Sequence, residues 1–315
     1  MNVTPYGYQN EACEWMMKRE KASELNYKFK GGILADEVGL GKTIMTTLIL
    51  INNPKKNTLI ILPKSLILQW KSELLKYTSK LDVQLVKDDV FELNTDSSIS
   101  RVFLVSHSRF NRRGIEDPTK LSYCTHEWDR VVIDEAHIIK NKKSKIHKAV
   151  CCLESEIRWA LTATPIMNKM TDFVYTMKWV SNNAIEQCDC QTDQEYIVEN
   201  YILRRTKCDV KEQNSIFELP KLHIEVNKLH FESLKEEHLY QSTYEDIREQ
   251  IRELQKVLGN QSIIYALELL LRARQICCHP QCYIDGMNKK LKKKKKTLGE
   301  NFKMLKQTEK YDDWN

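Results

Sequence analysis

The sequence predicts an α/β chain, a parallel sheet held between layers of helices and followed by a helical C-terminal region. Three observations carry this. From Gly31 to about Val180, short apolar runs alternate with stretches of helical periodicity, as strands joined by crossover helices require. A glycine turn, Gly39-Leu40-Gly41, leads directly into a helical stretch. After about Asn182 glycine becomes scarce and long helical periodicity takes over. That change of texture divides the chain into residues 1–182 and residues 183–315.

Taken in order, Thr43 to about Asn52 reads as a helix. Asn57–Leu62 is an apolar run stopped by Pro63, hence a buried strand. Ser65–Tyr77 carries Leu66, Leu68, Trp70, Leu74 and Leu75 at helical spacing. Val83–Val86, Arg101–Ser106 and Arg130–Asp134 read as further strands, Ser144–Leu153 as a helix and Arg158–Thr162 as a strand. Between Ser233 and Leu258, the residues Tyr240, Tyr244, Ile247, Ile251, Leu254 and Leu258 step alternately by four and three, an apolar helical seam. Gly259-Asn260 breaks it, and Ile263–Cys278 forms a second helix, so the pair reads as an αα-hairpin. No internal repeat is visible.

Composition sets the bounds. The 315 residues suffice for one large or two modest domains, and 42% hydrophobic with 29% charged residues is ordinary for a globular chain. No apolar run approaches the ~20 residues that span a bilayer, and Met1–Asn10 has neither the basic start nor the apolar core of a signal peptide. Ten cysteines without paired spacing fit a reducing compartment; nucleus or cytoplasm is the expectation. Cys188-Asp189-Cys190 and Cys277-Cys278 lack zinc-ligand spacing. Of the net charge of +6, Lys289, Lys290 and Lys292–Lys296 supply seven positives, so any basic face must come from charge distribution rather than from bulk charge. The lysine run reads as a solvated segment, with nuclear localisation or phosphate contact as alternatives. Abundant Lys, Asn and Ile hint at an AT-rich genome, such as that of a large DNA virus.

Gly41-Lys42-Thr43 is the ending of a phosphate-binding loop. Glycines leave backbone N–H groups free to curl around phosphate oxygens, Lys42 would pair with the β- and γ-phosphates, and Thr43 would offer its hydroxyl to Mg²⁺. The helix after it points its positive end at the same place. The first glycine of the general pattern is replaced by Asp36. Downstream, Val131-Val132-Ile133-Asp134-Glu135 is an apolar run ending in two carboxylates, where the carboxyl edge of a parallel sheet places ligand sites. Asp134 would hold Mg²⁺ through water and Glu135 would polarise the attacking water.

At these residues the chain resembles the first ATPase lobe of the Swi/Snf-type DNA translocases of helicase superfamily two. Gly31 to Thr43, with Asp36 included, is similar to that family's motif I. Asp134-Glu135-Ala136-His137 with Ile139-Lys140-Asn141 resembles motif II, and Arg158 to Asn168 resembles motif III, with Ala163 and Met167 where the family more often has Gly and Gln. Tyr8-Gln9 with Glu14–Glu20 resembles the adenine-recognising segment; Leu203–Lys207 and Leu271–Pro280 match signatures from the end of the first half. The similarity runs from about Pro5 to Pro280.

The resemblance implies a RecA-like P-loop NTPase lobe with a helical protrusion, using ATP and Mg²⁺. It makes Lys42, Asp134 and Glu135 catalytic, and assigns nucleotide binding to Gln9, Asp36, Gly39, Leu40, Gly41, Lys42, Thr43 and Ile44, with the metal at Thr43 and Asp134. DNA contact or coupling would fall to Lys64 and Ser65 of a motif Ia-like Pro63-Lys64-Ser65, and to Ser106, His137, Thr162, Thr164, Arg204 and Arg205. Within these, Trp70 reads as core rather than a base-stacking ring. Ser106-His107-Ser108-Arg109 reads equally as motif Ib or a surface loop. Arg204, Arg205 and Lys207 would face DNA or brace the hairpin.

Implied partners are duplex DNA, a second RecA-like lobe in a longer chain or in trans, and a nucleosome or the transcription and repair machinery. No segment resembles motifs V or VI, whose arginines stabilise transition-state charge, so weak ATP binding and poor hydrolysis are expected of this polypeptide alone. It reads as the N-terminal part of a larger enzyme or as a split or shortened gene product. The alternatives are an unwinding helicase of the Asp-Glu-Ala-His class and a catalytically idle scaffold. No RING-type cysteine array precedes Asn315.

Overall fold

The computed structural model describes residues 4–21, 29–86, 91–93, 96, 98–111, 120–166, 169–182, 191–213, 223–228, 230–231, 233–258, 262–279, 281–286 and 288. They fall into two compact units, Met1–Pro220 and Lys221–Asn315. Met167 and Asn168 of the third motif, Cys188 and Cys190, Gly259-Asn260, Pro280 and the lysine run lie outside the described residues.

The first unit is a seven-stranded sheet in which every pairing is parallel. Its strands are β1 (Lys30–Leu34), β2 (Asn57–Leu62), β3 (Leu81–Leu85), β4 (Ser100–Ser106), β5 (Glu127–Asp134), β6 (Glu154–Leu161) and β7 (Ile202–Leu203), ordered β3-β4-β2-β5-β6-β1-β7. Parallel neighbours need crossovers. Helices α1 (Gly7–Glu20), α2 (Lys42–Asn52) and α3 (Ile67–Tyr77) cover one face. The other lies under α4 (Lys145–Cys151), α5 (Met170–Val180) and α6 (Gln191–Tyr201), and α7 (Lys207–Gln213) ends the unit's described part.

Alternation along each strand makes both faces apolar. Leu59, Ile61, Val131, Ile133 and Ala160 pack with Ala149, Val150, Trp179 and Tyr201. Ile60, Leu62, Val132, Trp159 and Leu161 pack with Met16, Leu48, Trp70 and Leu74. Gly31, paired with Arg158, has φ +112°, and a Cβ there would fall 1.9 Å from the Arg158 carbonyl oxygen. Only glycine fits.

The strands β5 and β6 begin earlier than their apolar runs, because at their entry exposed residues alternate with buried ones. The unit also continues past Asn182. β7 pairs with β1 through Ile33–Ile202 and Leu34–Leu203, so residues 191–213 belong with the sheet, and the compact division falls at Pro220 instead. Strand β7 is two residues long, too short for a sequence pattern.

In the second unit, α8 (Leu234–Leu258) packs on α9 (Ser262–Cys278). Ile247 and Ile276 are buried, and the Tyr240 and Tyr244 rings stack with centroids 6.0 Å apart. The Leu254 and Leu258 side chains lie outside the described ones. No helix among the described residues is long and apolar enough to cross a membrane.

A buried ion pair locks α1 to the sheet. Glu20 takes both Nε and Nη2 of Arg130, Trp159 Nε1–H donates to Glu20 Oε1 (2.9 Å), and Arg130 Nη2–H also donates to the Asn53 carbonyl (2.7 Å). Both charged side chains are fully buried. Removing one partner strands the other charge. Urea denaturation of Arg130→Ala is expected to show a loss of about 3–5 kcal/mol, whereas joint replacement Glu20→Leu with Arg130→Met is expected to recover most of it.

Candidate functional site

The residues singled out by sequence converge on the carboxyl edge of the sheet, where parallel α/β folds bind ligands. Strand β6 lies between β1 and β5, and Leu161 pairs with both Leu34 and Asp134. The glycine turn after β1, the acid pair ending β5 and Thr162 after β6 therefore leave neighbouring strands at one level.

Residues 35–41 form the loop and α2 opens at Lys42. Gly41 has φ +84°, and a Cβ there would come 2.6 Å from Gln9 Nε2. The first intrahelical bond runs from the Met45 N–H to the Gly41 carbonyl (3.0 Å), so the N–H groups of Lys42, Thr43 and Ile44 have no helix carbonyl to serve. Lys42 Nζ sits over this nest, donating to the Asp36 carbonyl (2.6 Å) and the Glu37 carbonyl (3.4 Å). Burial pulls the Lys42 pKa down, and the negative charges of Glu135, Asp36 and Asp134 pull it back up. Free helix N–H groups beside a lysine ammonium suit a polyphosphate.

Asp134 is buried. Its Oδ2 accepts from Trp70 Nε1–H (2.9 Å), its Oδ1 from the Glu135 N–H (2.9 Å), and its carbonyl oxygen lies 2.9 Å from His107 Nε2. Burial raises the carboxyl above the usual range, against the lowering by Trp70. Glu135 has φ +51°, in the left-handed region, which turns the chain out of the strand; such strain in a non-glycine residue clusters at functional sites. Glu135 Oε2 lies 3.2 Å from His137 Nδ1. A hydroxyl on Thr43 and a hard carboxylate on Asp134, flanked by a second carboxylate, form a donor set that fits Mg²⁺.

Asp36 is fully buried and is held by Arg205: the Arg205 backbone N–H donates to Oδ1 (2.9 Å), its Nε–H to Oδ1 (3.3 Å) and its Nη2–H to Oδ2. Arg205 Nη1–H reaches the Tyr8 carbonyl (2.7 Å). Backbone bonds run alongside, from the Ala35 N–H to the Leu203 carbonyl (2.7 Å) and from the Glu37 N–H to the Arg205 carbonyl (3.0 Å). The Lys207 N–H donates to Glu37 Oε2 (2.8 Å). Arg204 Nη1–H bridges the carbonyls of Ala35 (2.7 Å) and Ala163 (3.0 Å). Sequence reading had Arg204, Arg205 and Lys207 facing DNA or bracing the hairpin. Each of them hydrogen-bonds the phosphate loop, Arg204 also reaching Ala163 and Arg205 also reaching Tyr8.

The amide of Gln9 is engaged too, donating to the Leu40 carbonyl (3.2 Å) and accepting from the Tyr6 N–H (3.1 Å), with Tyr8 Oη–H also on Leu40 (3.1 Å). The Thr162 N–H bonds the Leu34 carbonyl (3.1 Å), and Thr162 Oγ1 accepts from the Thr164 N–H (3.2 Å). Lys64 and Ser65 are exposed in a 3₁₀ turn after β2. Ser106 ends the adjacent β4, paired with Leu62, and its hydroxyl lies 2.8 Å from that of Ser108. Sequence reading missed the bond of Trp70 to Asp134, the contact of His107 with the same residue, and Arg205 as the partner of Asp36. The unexplained Asp in place of glycine was the available signal for the last.

Loop, acid pair and parallel sheet together define a P-loop nucleotide-binding lobe of RecA-like form. The chain belongs to the SNF2-related family, whose domain matches residues 8–282. It is similar to the "Probable global transactivator" of Orgyia pseudotsugata multicapsid polyhedrosis virus, 26% identical, covering 87% of this chain and 55% of that protein. To the "DNA repair protein RAD5" of Candida albicans it is 31% identical, covering 79% of this chain and 28% of the relative. Among solved structures, the Sulfolobus solfataricus SWI2/SNF2 ATPase core in complex with dsDNA superposes with a TM-score of 0.54 at 28% identity, over 89% of this chain and 59% of that one. The chain thus spans about half or less of these curated relatives.

The Asp36–Arg205 pair sets the loop's shape, and hydrogen bonds between charged groups contribute about 1.5–3 kcal/mol. Titration with a fluorescent ADP is expected to show affinity at least about tenfold weaker for Asp36→Ala and for Arg205→Ala. The double variant should lose little more than either single one, because the two act as a unit.

Proposed function

We propose that this chain is the ATP-binding lobe of a Swi/Snf-type DNA-dependent ATPase, whose intact enzyme translocates on duplex DNA. The observation that carries the reading is the gathering of Lys42, Thr43, Asp134 and Glu135 at one level of the sheet edge, off β1 and β5. Lys42 leaves the Asp36 and Glu37 carbonyls to meet the β- and γ-phosphates, while the N–H groups of Lys42, Thr43 and Ile44 hold phosphate oxygens. Thr43 and Asp134 would hold Mg²⁺, which when bound neutralises charge on the phosphate oxygens. Glu135, outside the buried pocket of Asp134, orients and polarises the attacking water.

Duplex DNA lies, in this reading, across the ends of β2 and β4, where Lys64 and Ser65 follow one strand and Ser106 ends its neighbour. The Sulfolobus core solved with duplex DNA supports this class of substrate. Coupling runs through Arg204, whose guanidinium touches both the phosphate loop at Ala35 and the segment after β6 at Ala163; Thr162, Thr164 and His137 flank that path. A second RecA-like lobe, in the same longer chain or in trans, supplies the arginines that complete the site, so this lobe alone turns over slowly. That this chain covers 59% of the Sulfolobus core supports a further lobe. The working complex is intracellular and acts on nucleosomes or with transcription or repair machinery.

ATP turnover tests the reading. Joining the lobe to its missing half is expected to raise the rate by about 10³–10⁵, the effect of an arginine finger, with further stimulation by duplex DNA and none by single-stranded RNA. Lys42→Ala should lose nucleotide binding, whereas Glu135→Gln should keep it and lose turnover. DNA-stimulated turnover by this lobe alone would remove the need for a second one.

A further inference from the structure

Away from the nucleotide site, a cavity of about 200 Å³ opens between α4 and α5, beside Arg158 of β6. Lys142, Arg158 and Lys178 line it beside His147, and no carboxylate does. Tyr175 and Trp179 form apolar walls, and Cys151 stands at its side. Among the described residues, none of the three permanent cations has an ion-pair partner.

Arg158 is the buried one of the three. It is 3% exposed, and buried arginines are almost always paired. In this chain the fully buried Arg130 has Glu20, and the equally buried Arg19 lies 3.8 Å over the Tyr201 ring. Arg158 has the Trp179 carbonyl at Nη1 (3.1 Å), the Leu153 carbonyl at Nη2 (2.7 Å) and the Trp179 ring 5.8 Å from its Cζ, and among the described residues its buried Nε–H has no hydrogen-bond partner. Neutral carbonyls do not balance a guanidinium taken out of water. The His147 Nδ1 is engaged by the Ile139 carbonyl (2.6 Å), leaving Nε2 as its remaining polar atom.

We propose that this cavity is a second anion site that takes a phosphate-type dianion. Three fixed positive charges overmatch a single carboxylate and suit a group carrying about −2, and Arg offers a fork that matches phosphate oxygens. The volume lies below the ~300 Å³ of drug-sized ligand pockets and suits a phosphate or diphosphate group. The approach is basic as well, since Lys140, Lys142, Lys143, Lys145 and Lys148 place five cations in nine residues without an acid. A free phosphate compound and the backbone of a nucleic acid present the same chemistry. The site is independent of the role proposed for the nucleotide loop.

Cys151 supplies a reporter, because it lines the cavity and is exposed. Its N-ethylmaleimide labelling, followed by mass spectrometry without Mg²⁺, is expected to slow about tenfold with inorganic pyrophosphate at about ten times its Kd, by mass action. Labelling of the exposed Cys277 should not change. Lys142→Gln and Lys178→Gln, both rim substitutions, should abolish the protection, and Lys42→Ala should keep it. Protection by a short DNA duplex that competes with pyrophosphate would identify strand phosphates as the source; protection by pyrophosphate alone would identify a free anion, and both support the site. Cys151 labelling indifferent to pyrophosphate, or protection that survives Lys178→Gln and vanishes in Lys42→Ala, overturns it.

Discussion

A carboxylate buried inside a phosphate-binding loop is unstable unless a cation meets it, and Asp36 is such a carboxylate. The loop must expose N–H groups to an anion, so a buried negative charge two residues past β1 works against its purpose. Arg205 resolves this by neutralising Asp36 from outside the loop with side chain and backbone together. For Arg205 to arrive there, the chain must return through α6 to the edge of β1, add β7, and run beside Ala35 and Glu37. One local charge thus bears on where residues 191–205 have to go.

The same constraint explains why the site is rigid on one side and open on the other. Below the loop, Gln9, Tyr8 and Leu40 form a closed set of hydrogen bonds, and Trp70 and His107 fix Asp134 at its carboxylate and its carbonyl. These groups cannot move without stranding buried donors, which costs about 1–3 kcal/mol each. Above the loop, Lys42 is held only by two backbone carbonyls, and Glu135 stands on a left-handed turn beside His137. Those are the groups that exchange partners in the phosphate binding proposed above.

Charge in this chain is organised by position rather than amount. Outside the lysine run the balance of formal charges is close to neutral, yet buried guanidiniums recur at points where structure is set. Arg130 anchors α1 through Glu20 and Arg205 shapes the loop through Asp36. Arg158 is buried like Arg130 but, among the described residues, has no carboxylate, and it lines the α4–α5 cavity.

The sequence by itself determined the parallel sheet, the phosphate loop and the acid pair. Each is written in a local pattern: apolar runs buried on two faces, glycines before Lys42, and Asp134-Glu135 at the end of a strand. Local patterns also placed α3, α8 and α9 to within a few residues. Tertiary structure alone decided the partners of buried polar groups. Nothing near Asp36 names Arg205, which lies 169 residues away, and nothing near Glu20 names Arg130. A two-residue strand such as β7 has no periodicity to read, and the first unit's extent past Asn182 depends on it. The physical reason is common to all of these: hydrophobic burial repeats along the chain and can be read from it, whereas the pairing of a buried charge is a single long-range event that only the assembled fold defines.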